Sequence, residues 1–200
     1  MKPTSSTTPT SSTARTFGGT RPAPPAQRPV TAMRELLLPD GSDHALRTLL
    51  HDLFTIGNRL EEVRRYLGSC IGISGPQFTL MMAVLELQGA TGVSVGKIAG
   101  YLHVAGTFIT AESAKLAQKE YLEKRTDPRD RRVSLLRVLP SGMKVLDSLL
   151  PVLQQINDTF FDLESREGFE SLCRGASRLV DGSQRVLSLI RENALGSVSA

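Results

Sequence analysis

Between residues 93 and 139 the apolar periodicity switches from helical to strand-like across a short charged loop, and few architectures accommodate that order. Val95, Ile98, Ala99 and Leu102 recur at steps of three and four behind a capping Ser94, which predicts a short helix over 95–101. His103-Val104-Ala105-Gly106 reads as a turn, and a further helix follows over 107–119. Apolar residues then alternate. Residues 121–125 and 133–138 are predicted as two strands, joined by the polar loop Thr126-Asp127-Pro128-Arg129-Asp130-Arg131-Arg132.

Longer helices flank this segment. Leu46, Leu49, Leu50, Leu53, Phe54, Leu60, Val63 and Leu67 form one apolar stripe from Asp43 to a break near Gly68. Ser74-Gly75-Pro76-Gln77 supplies a cap and a first-turn proline for a second helix through about Leu87. Pro140-Ser141-Gly142 opens another, which Pro151 should kink or split. A last helix runs over 166–192 with Phe169, Leu172, Ala176, Leu179, Val180, Val186, Leu187 and Ile190 on one stripe. Residues 1–42 differ in kind, since they hold seven of the eleven prolines among Ser/Thr runs. That composition lacks the apolar area to offset the entropy of ordering, so it reads as a disordered tail. Residues 193–200 read as a flexible C-terminus.

Charge is partitioned sharply. Residues 1–34 carry five basic groups and no acid, residues 35–96 and 145–200 each net −3, and residues 97–144 net +5. A uniformly basic coat is excluded. The basic segment coincides with the two short helices and the hairpin, which together read as a winged helix-turn-helix, suited to polyanionic double-stranded DNA. No apolar run approaches the roughly 18 residues a membrane span needs. Two cysteines make no disulfide scaffold, so a reducing, cytoplasmic setting is expected. No nucleophile elbow, phosphate loop or metal-ligand spacing is present, so the expectation is no enzyme, no metal and no cofactor.

Over residues 43–192, and most closely over 93–139, the sequence resembles the MarR family of transcriptional regulators. The resemblance rests on the wing sequence Asp127-Pro128-Arg129-Asp130-Arg131-Arg132 followed by a Val/Leu strand and Gly142, and on Val93–Ala99 and Thr107–Thr110. It implies a mainly α fold, with a winged helix-turn-helix and two-stranded wing over 74–139, and dimerisation helices over 43–69 and 143–192. Asp130 and Arg132 stand two apart in extended chain, so a carboxylate can orient a guanidinium suited to a narrow minor groove. By resemblance Arg132 is the minor-groove residue and Asp130 its support, with Arg129 and Arg131 meeting phosphates or water. On the helix over 107–119, Ile109 and Leu116 point inward, leaving Thr107, Thr110, Ala111 and Ala114 to face bases. Gly106 and Thr107 offer a helix N-terminus to phosphate, and Lys115 and Lys119 follow as phosphate candidates. Ala105, Glu112, Ser113 and Glu120 depart from the family pattern.

The resemblance further implies a two-fold homodimer on a pseudo-palindromic operator, acting as a repressor. Release by a small-molecule effector is implied too, with an aromatic carboxylate or its thioester as the candidate class. Polar residues on the first two helices, His51, Asn58, Arg59, Tyr66 and Gln77, are the candidate ligand-binding groups, an Arg being able to clamp a carboxylate bidentately. His103 reads as a structural hydrogen-bonding residue and Cys173 as a core residue. Two alternatives stay open: a winged helix used for protein assembly, and a redox-sensing regulator built on Cys70 or Cys173.

Overall fold

The computed structural model describes residues 29–163 and 165–192. The expectations for residues 1–28 and 193–200 lie outside them. The chain divides into two units, one ending at Phe54 and the other beginning at Thr55. In the first, residues 29–42 hold two single-turn 3-10 helices, Glu35–Leu37 and Pro39–Gly41, where composition implied no structure. The physical reason is local. Asp43 Oδ2 accepts hydrogen bonds from the Thr31 backbone N–H at 2.9 Å and from its hydroxyl at 2.7 Å, and the carboxylate also pairs with Arg47. This buried carboxylate sits just before α1 (His44–Cys70).

The second unit is built from the rest of α1, then α2 (Gly75–Leu87), β1 (Val93–Ser94), α3 (Val95–Leu102), α4 (Gly106–Gln118), β2 (Leu122–Thr126) and β3 (Ser134–Val138). Three helices follow: α5 (Pro140–Ser148), α6 (Leu150–Phe160) and α7 (Arg166–Arg191). Ser74 caps α2 through a full capping box. Its hydroxyl accepts from Gln77 N at 3.3 Å, and Gln77 Oε1 accepts from Ser74 N at 3.0 Å. Ser94 caps α3 through its hydroxyl alone, accepting from Lys97 N at 3.2 Å. Pro151 does split the helix after 140, with a break at Leu149 separating α5 from α6.

The wing has one strand more than its periodicity predicts. Val93–Ser94 pairs antiparallel with β3, giving a sheet in the order β1-β3-β2. A two-residue strand carries no period to read, and its pairing depends on a partner about forty residues away. Strand β3 is therefore central, with Leu136 opposite Val93 on one side and Lys124 on the other. Leu122, Leu136 and Val138 face a core shared with Phe78, Leu80, Met81, Val84, Ile98, Ile109 and Leu116. Gly142 lets α5 start against this sheet, because a Cβ there would collide with the carbonyl oxygen of Tyr121.

Helix α4 is tied to α2 by polar contacts as well as by packing. Buried Gln77 donates from Nε2 to Glu112 Oε2 at 3.0 Å, and Glu112 Oε1 holds the Lys115 ammonium at 2.7 Å. No single helix among the described residues is long and apolar enough to cross a membrane.

Two predictions follow from these polar ties. Thr31's hydroxyl, then its backbone N–H, and then Arg47 hold the Asp43 carboxyl below its ordinary value of 3.8, against an upward push from burial. Its contribution is therefore complete above the ordinary value and disappears as pH falls through the lower folded value. Hydrogen exchange at the Thr31 amide should accelerate over that acid range in the wild type and lose this pH dependence in Asp43→Asn. Removing the acceptor at position 112 leaves the buried Gln77 Nε2 without its partner, so Glu112→Ala should cost about 1–3 kcal/mol in urea unfolding, and Glu112→Gln much less.

Candidate nucleic-acid interface

The outer face of α4 follows from what its inner face buries. Ile109 and Leu116, seven residues apart, are fully buried, and Ser113 between them is buried with its hydroxyl donating to the Thr110 carbonyl. That rotation leaves Thr107, Thr110, Ala111, Ala114 and Lys115 exposed, as their spacing predicts. Lys115 is not a free cation, since Glu112 holds it. Lys119 is exposed where the helix ends.

Both ends of the helix-turn-helix pair close with residues in the left-handed region. His103, at φ 54°, ends α3, with the Val104 N–H reaching the Ala99 carbonyl at 3.0 Å. Glu120, at φ 59°, ends α4, with the Tyr121 N–H on the Leu116 carbonyl at 3.0 Å and the Glu120 N–H on Ala117 at 2.9 Å. These are Schellman closures with side chains where glycine is usual. The N-terminus of α4 is open by contrast. Ala105 in cap position offers no side-chain acceptor, so the first N–H groups, from Gly106 onward, carry the partial positive charge of the helix end without a capping oxygen.

The wing tip is shaped by two aspartates. Asp127 Oδ1 accepts from Arg129 N at 2.8 Å, and Asp130 Oδ1 accepts from Arg132 N at 2.9 Å. Each is an Asx-turn. Asp130 Oδ1 also takes Arg132 Nε at 3.3 Å, while the Arg132 side chain stays 92% exposed. Asp130 and Arg132 meet as their spacing predicts, but on a different backbone. Residues 127–133 lie outside the strands and form a turn, and that turn, rather than shared facing in an extended chain, brings the two together. Arg129 and Arg131 are exposed beside them.

The candidate ligand residues do not converge. His51, Asn58, Arg59 and Tyr66 are exposed along α1, whereas Gln77 is buried with both ends of its amide engaged. His103 is a hydrogen-bonding residue, its Nδ1 lying 3.0 Å from Gln184 Nε2 of α7. Beside that contact, between the α3–α4 turn and α7, a cleft of about 800 Å³ is lined in part by Val104, Val180, Leu187 and Arg191. Cys173 is exposed, not core, because nothing described covers the α7 stripe. Cys70 is exposed at the end of α1. Among the described residues no group of three or more His, Cys, Asp or Glu is placed to hold a metal ion. Arg125 and Arg137, which sequence reasoning passed over, stand on the wing strands; the local excess of basic residues was their only signal.

No family model matches the chain. A relative in Bacillus subtilis (strain 168), the uncharacterized HTH-type transcriptional regulator YsmB, is 27% identical over 96 residues, covering 48% of this chain and 64% of that protein, under two thirds of its length. Solved structures of the same fold include the following three. A MarR protein from Peptoclostridium difficile has a TM-score of 0.60 at 15% identity, over 71% of this chain and 91% of its own. The S. aureus MepR–DNA complex has a TM-score of 0.58 at 16% identity, over 66% and 96%. The PcaV transcriptional regulator from Streptomyces coelicolor, solved with its natural ligand, has a TM-score of 0.52 at 20% identity, over 64% and 91%. With its helix-turn-helix, three-stranded wing sheet and flanking helices, the chain has the winged-helix fold of the MarR transcriptional regulators.

Proposed function

We propose that the chain is a sequence-specific regulator of transcription that binds double-stranded DNA as a homodimer and acts as a repressor, with no catalytic role. The observation that carries this reading is the wing tip, where Asp130 orients an Arg132 side chain that is otherwise wholly in solvent. A guanidinium held in one direction at the end of a hairpin suits a narrow, strongly negative minor groove. Thr107, Thr110, Ala111 and Ala114 present small and hydroxyl-bearing groups for the edges of bases in a major groove, with Lys115 beside them. Gly106 and Thr107 bring the uncapped N-terminus of α4 to a phosphate, and Arg129 and Arg131 flank the tip for the same purpose. MepR, whose fold this chain shares, was solved on DNA.

The homodimer is supported by exposed apolar side chains. Phe169, Leu172, Leu179, Val180, Val186, Leu187 and Ile190 of α7 are each between 45% and 51% exposed, and Leu49, Leu50, Leu53 and Phe54 of α1 are exposed as well. Patches of this extent mark association surfaces. A second copy of the chain covers them in this reading, and two-fold symmetry then sets two α4 helices against a pseudo-palindrome. Residues 43–69 and 143–192 serve as the dimerisation helices and 74–139 as the DNA-binding part. The effector is a small aromatic carboxylate or its thioester. Arg59 and Tyr66, seven apart and exposed on α1, supply the guanidinium and the ring that would receive it. PcaV was solved with its natural ligand.

Two experiments test this reading. A binding site selected from a random duplex library should be bound by the wild-type chain with salt-dependent affinity. Arg132→Ala should lose about 1–3 kcal/mol of that affinity while still sedimenting as two chains; unchanged affinity removes the wing from the interface, and a single-chain sedimentation species removes the dimer. A thermal-shift screen of aromatic carboxylates and their thioesters should find a compound that raises Tm by about 5–10 °C at a hundredfold excess over Kd. Arg59→Ala should abolish that rise, and a flat screen would refute the effector class.

A further inference from the structure

We propose that the outer face of the wing carries a phosphate-binding cleft, which runs from the strands to the Asp127–Arg129 side of the wing tip. Strand register places it. Arg125 stands opposite Leu135, and Glu123 opposite Arg137, so these four side chains share the sheet face that points away from Leu122, Leu136 and Val138 of the core. A cleft of about 460 Å³ opens on that face, between the wing and the loop joining α2 to β1. It is lined by Thr91, Arg125, Thr126, Asp127, Arg129 and Arg137. Arg131 and Arg132 are not part of the lining.

Three guanidinium groups thus meet two carboxylates, Asp127 in the lining and Glu123 beside Arg125. Asp127 also accepts the Arg129 backbone N–H at 2.8 Å. Arg125 shares its charge with Glu123 at 3.1 Å across the strand surface, and its side chain remains 53% exposed. Arg137 is half-buried and directed, because one terminal nitrogen donates to the Ala90 carbonyl oxygen at 2.9 Å. A guanidinium has five donors, so that tether fixes its orientation and leaves donors for another acceptor. Like charges gathered around one concavity repel, and a tetrahedral dianion would offset them through paired N–H···O contacts. The hydroxyls of Thr91 and Thr126 add donors of the kind a phosphate accepts. The volume lies within the range of small-molecule sites, about 300–1,000 Å³, and exceeds what a single inorganic phosphate fills. It therefore has room for a phosphate carried on something larger.

Two sources offer that chemistry, a DNA backbone and a free phosphorylated small molecule. The first rests on the DNA-binding reading above, and the second does not. Full-length wild type, Arg125→Gln, Arg137→Gln and the double variant are compared in two assays. Inorganic pyrophosphate is titrated by calorimetry, and the salt dependence of binding to a duplex is measured. Arg125→Gln leaves the Ala90 tether intact, so it reports on the cleft even if the Arg137 variants prove less stable. If a free phosphate is the source, wild type binds pyrophosphate and each variant weakens it at least tenfold. If the DNA backbone is the source, the slope of log K against log salt falls in magnitude by about 1 for each phosphate contact removed. Pyrophosphate affinity and salt slope both unchanged in a folded Arg125→Gln variant would overturn the cleft. If the wild-type chain shows no salt-dependent duplex binding at all, the DNA reading fails by itself and pyrophosphate alone decides the cleft.

Discussion

Strand β3 is the constraint on which the other elements of the second unit depend. Leu136 is fully buried and sits between β1 and β2, so the entry to α3 and the first strand of the wing are fastened to the backbone of one strand. Alternation does the rest. With Leu136 and Val138 inward, Leu135, Arg137 and Arg125 must face the other way, while Lys124, opposite Leu136, shares the inner face and stays exposed at its margin. A slip of one residue in β3 would turn Arg137 toward the core and Leu136 toward solvent, at the desolvation cost of a buried guanidinium. The charge distribution of the wing is thus a consequence of core packing. The same strand also accepts α2 indirectly, because the Val138 N–H donates to Gln88 Oε1 at 2.9 Å just beyond the end of that helix.

The long terminal helices obey a different balance. Helix α7 has an apolar stripe with helical period, yet none of its described residues is buried and its stripe stays about half exposed. Its Ser165 cap and the Arg174–Glu170 pair at 3.8 Å are local devices worth little against the apolar area left in water. A helix so patterned is stabilised chiefly by whatever buries the stripe. The interior of the winged unit, by contrast, is closed by its own residues, so its stability does not depend on covering α7.

Much of this was legible in the sequence because its determinants are local. Ser74 with Gln77, Ser94, Pro140 and Pro151 each fix a helix boundary through groups within four residues. Ile109 and Leu116 fix the rotation of α4 by spacing alone. The misses are non-local or concern backbone state. Strand β1 exists only because β3 pairs with it, and the partner of Glu112 is Gln77, 35 residues earlier, which turned a candidate ligand group into a structural tie. Asp130 and Arg132 were paired correctly from chemistry, but the Asx-turn that joins them leaves no periodic trace. Cys173 was misplaced for a related reason: an apolar stripe shows which face wants cover and is silent on what supplies it.

Helix α4 illustrates how these determinants combine. Its N-terminus lacks a capping side chain, a deficit of about 1 kcal/mol relative to Ser or Asp, and its C-terminus ends in a left-handed Glu120, a conformation that costs an L-residue about 1–2 kcal/mol. Neither end favours the helix, and the preceding turn is closed by His103 in the same unfavourable region. What holds α4 is its middle. Ile109, Ser113 and Leu116 are buried, and Glu112 is bonded to Gln77 across to α2. A helix gripped at its centre keeps both termini and its whole outer face unobstructed by its own protein. Ala105 and Glu120 leave both ends of the helix unfavourable, while Glu112 adds to its buried centre a polar tether to α2.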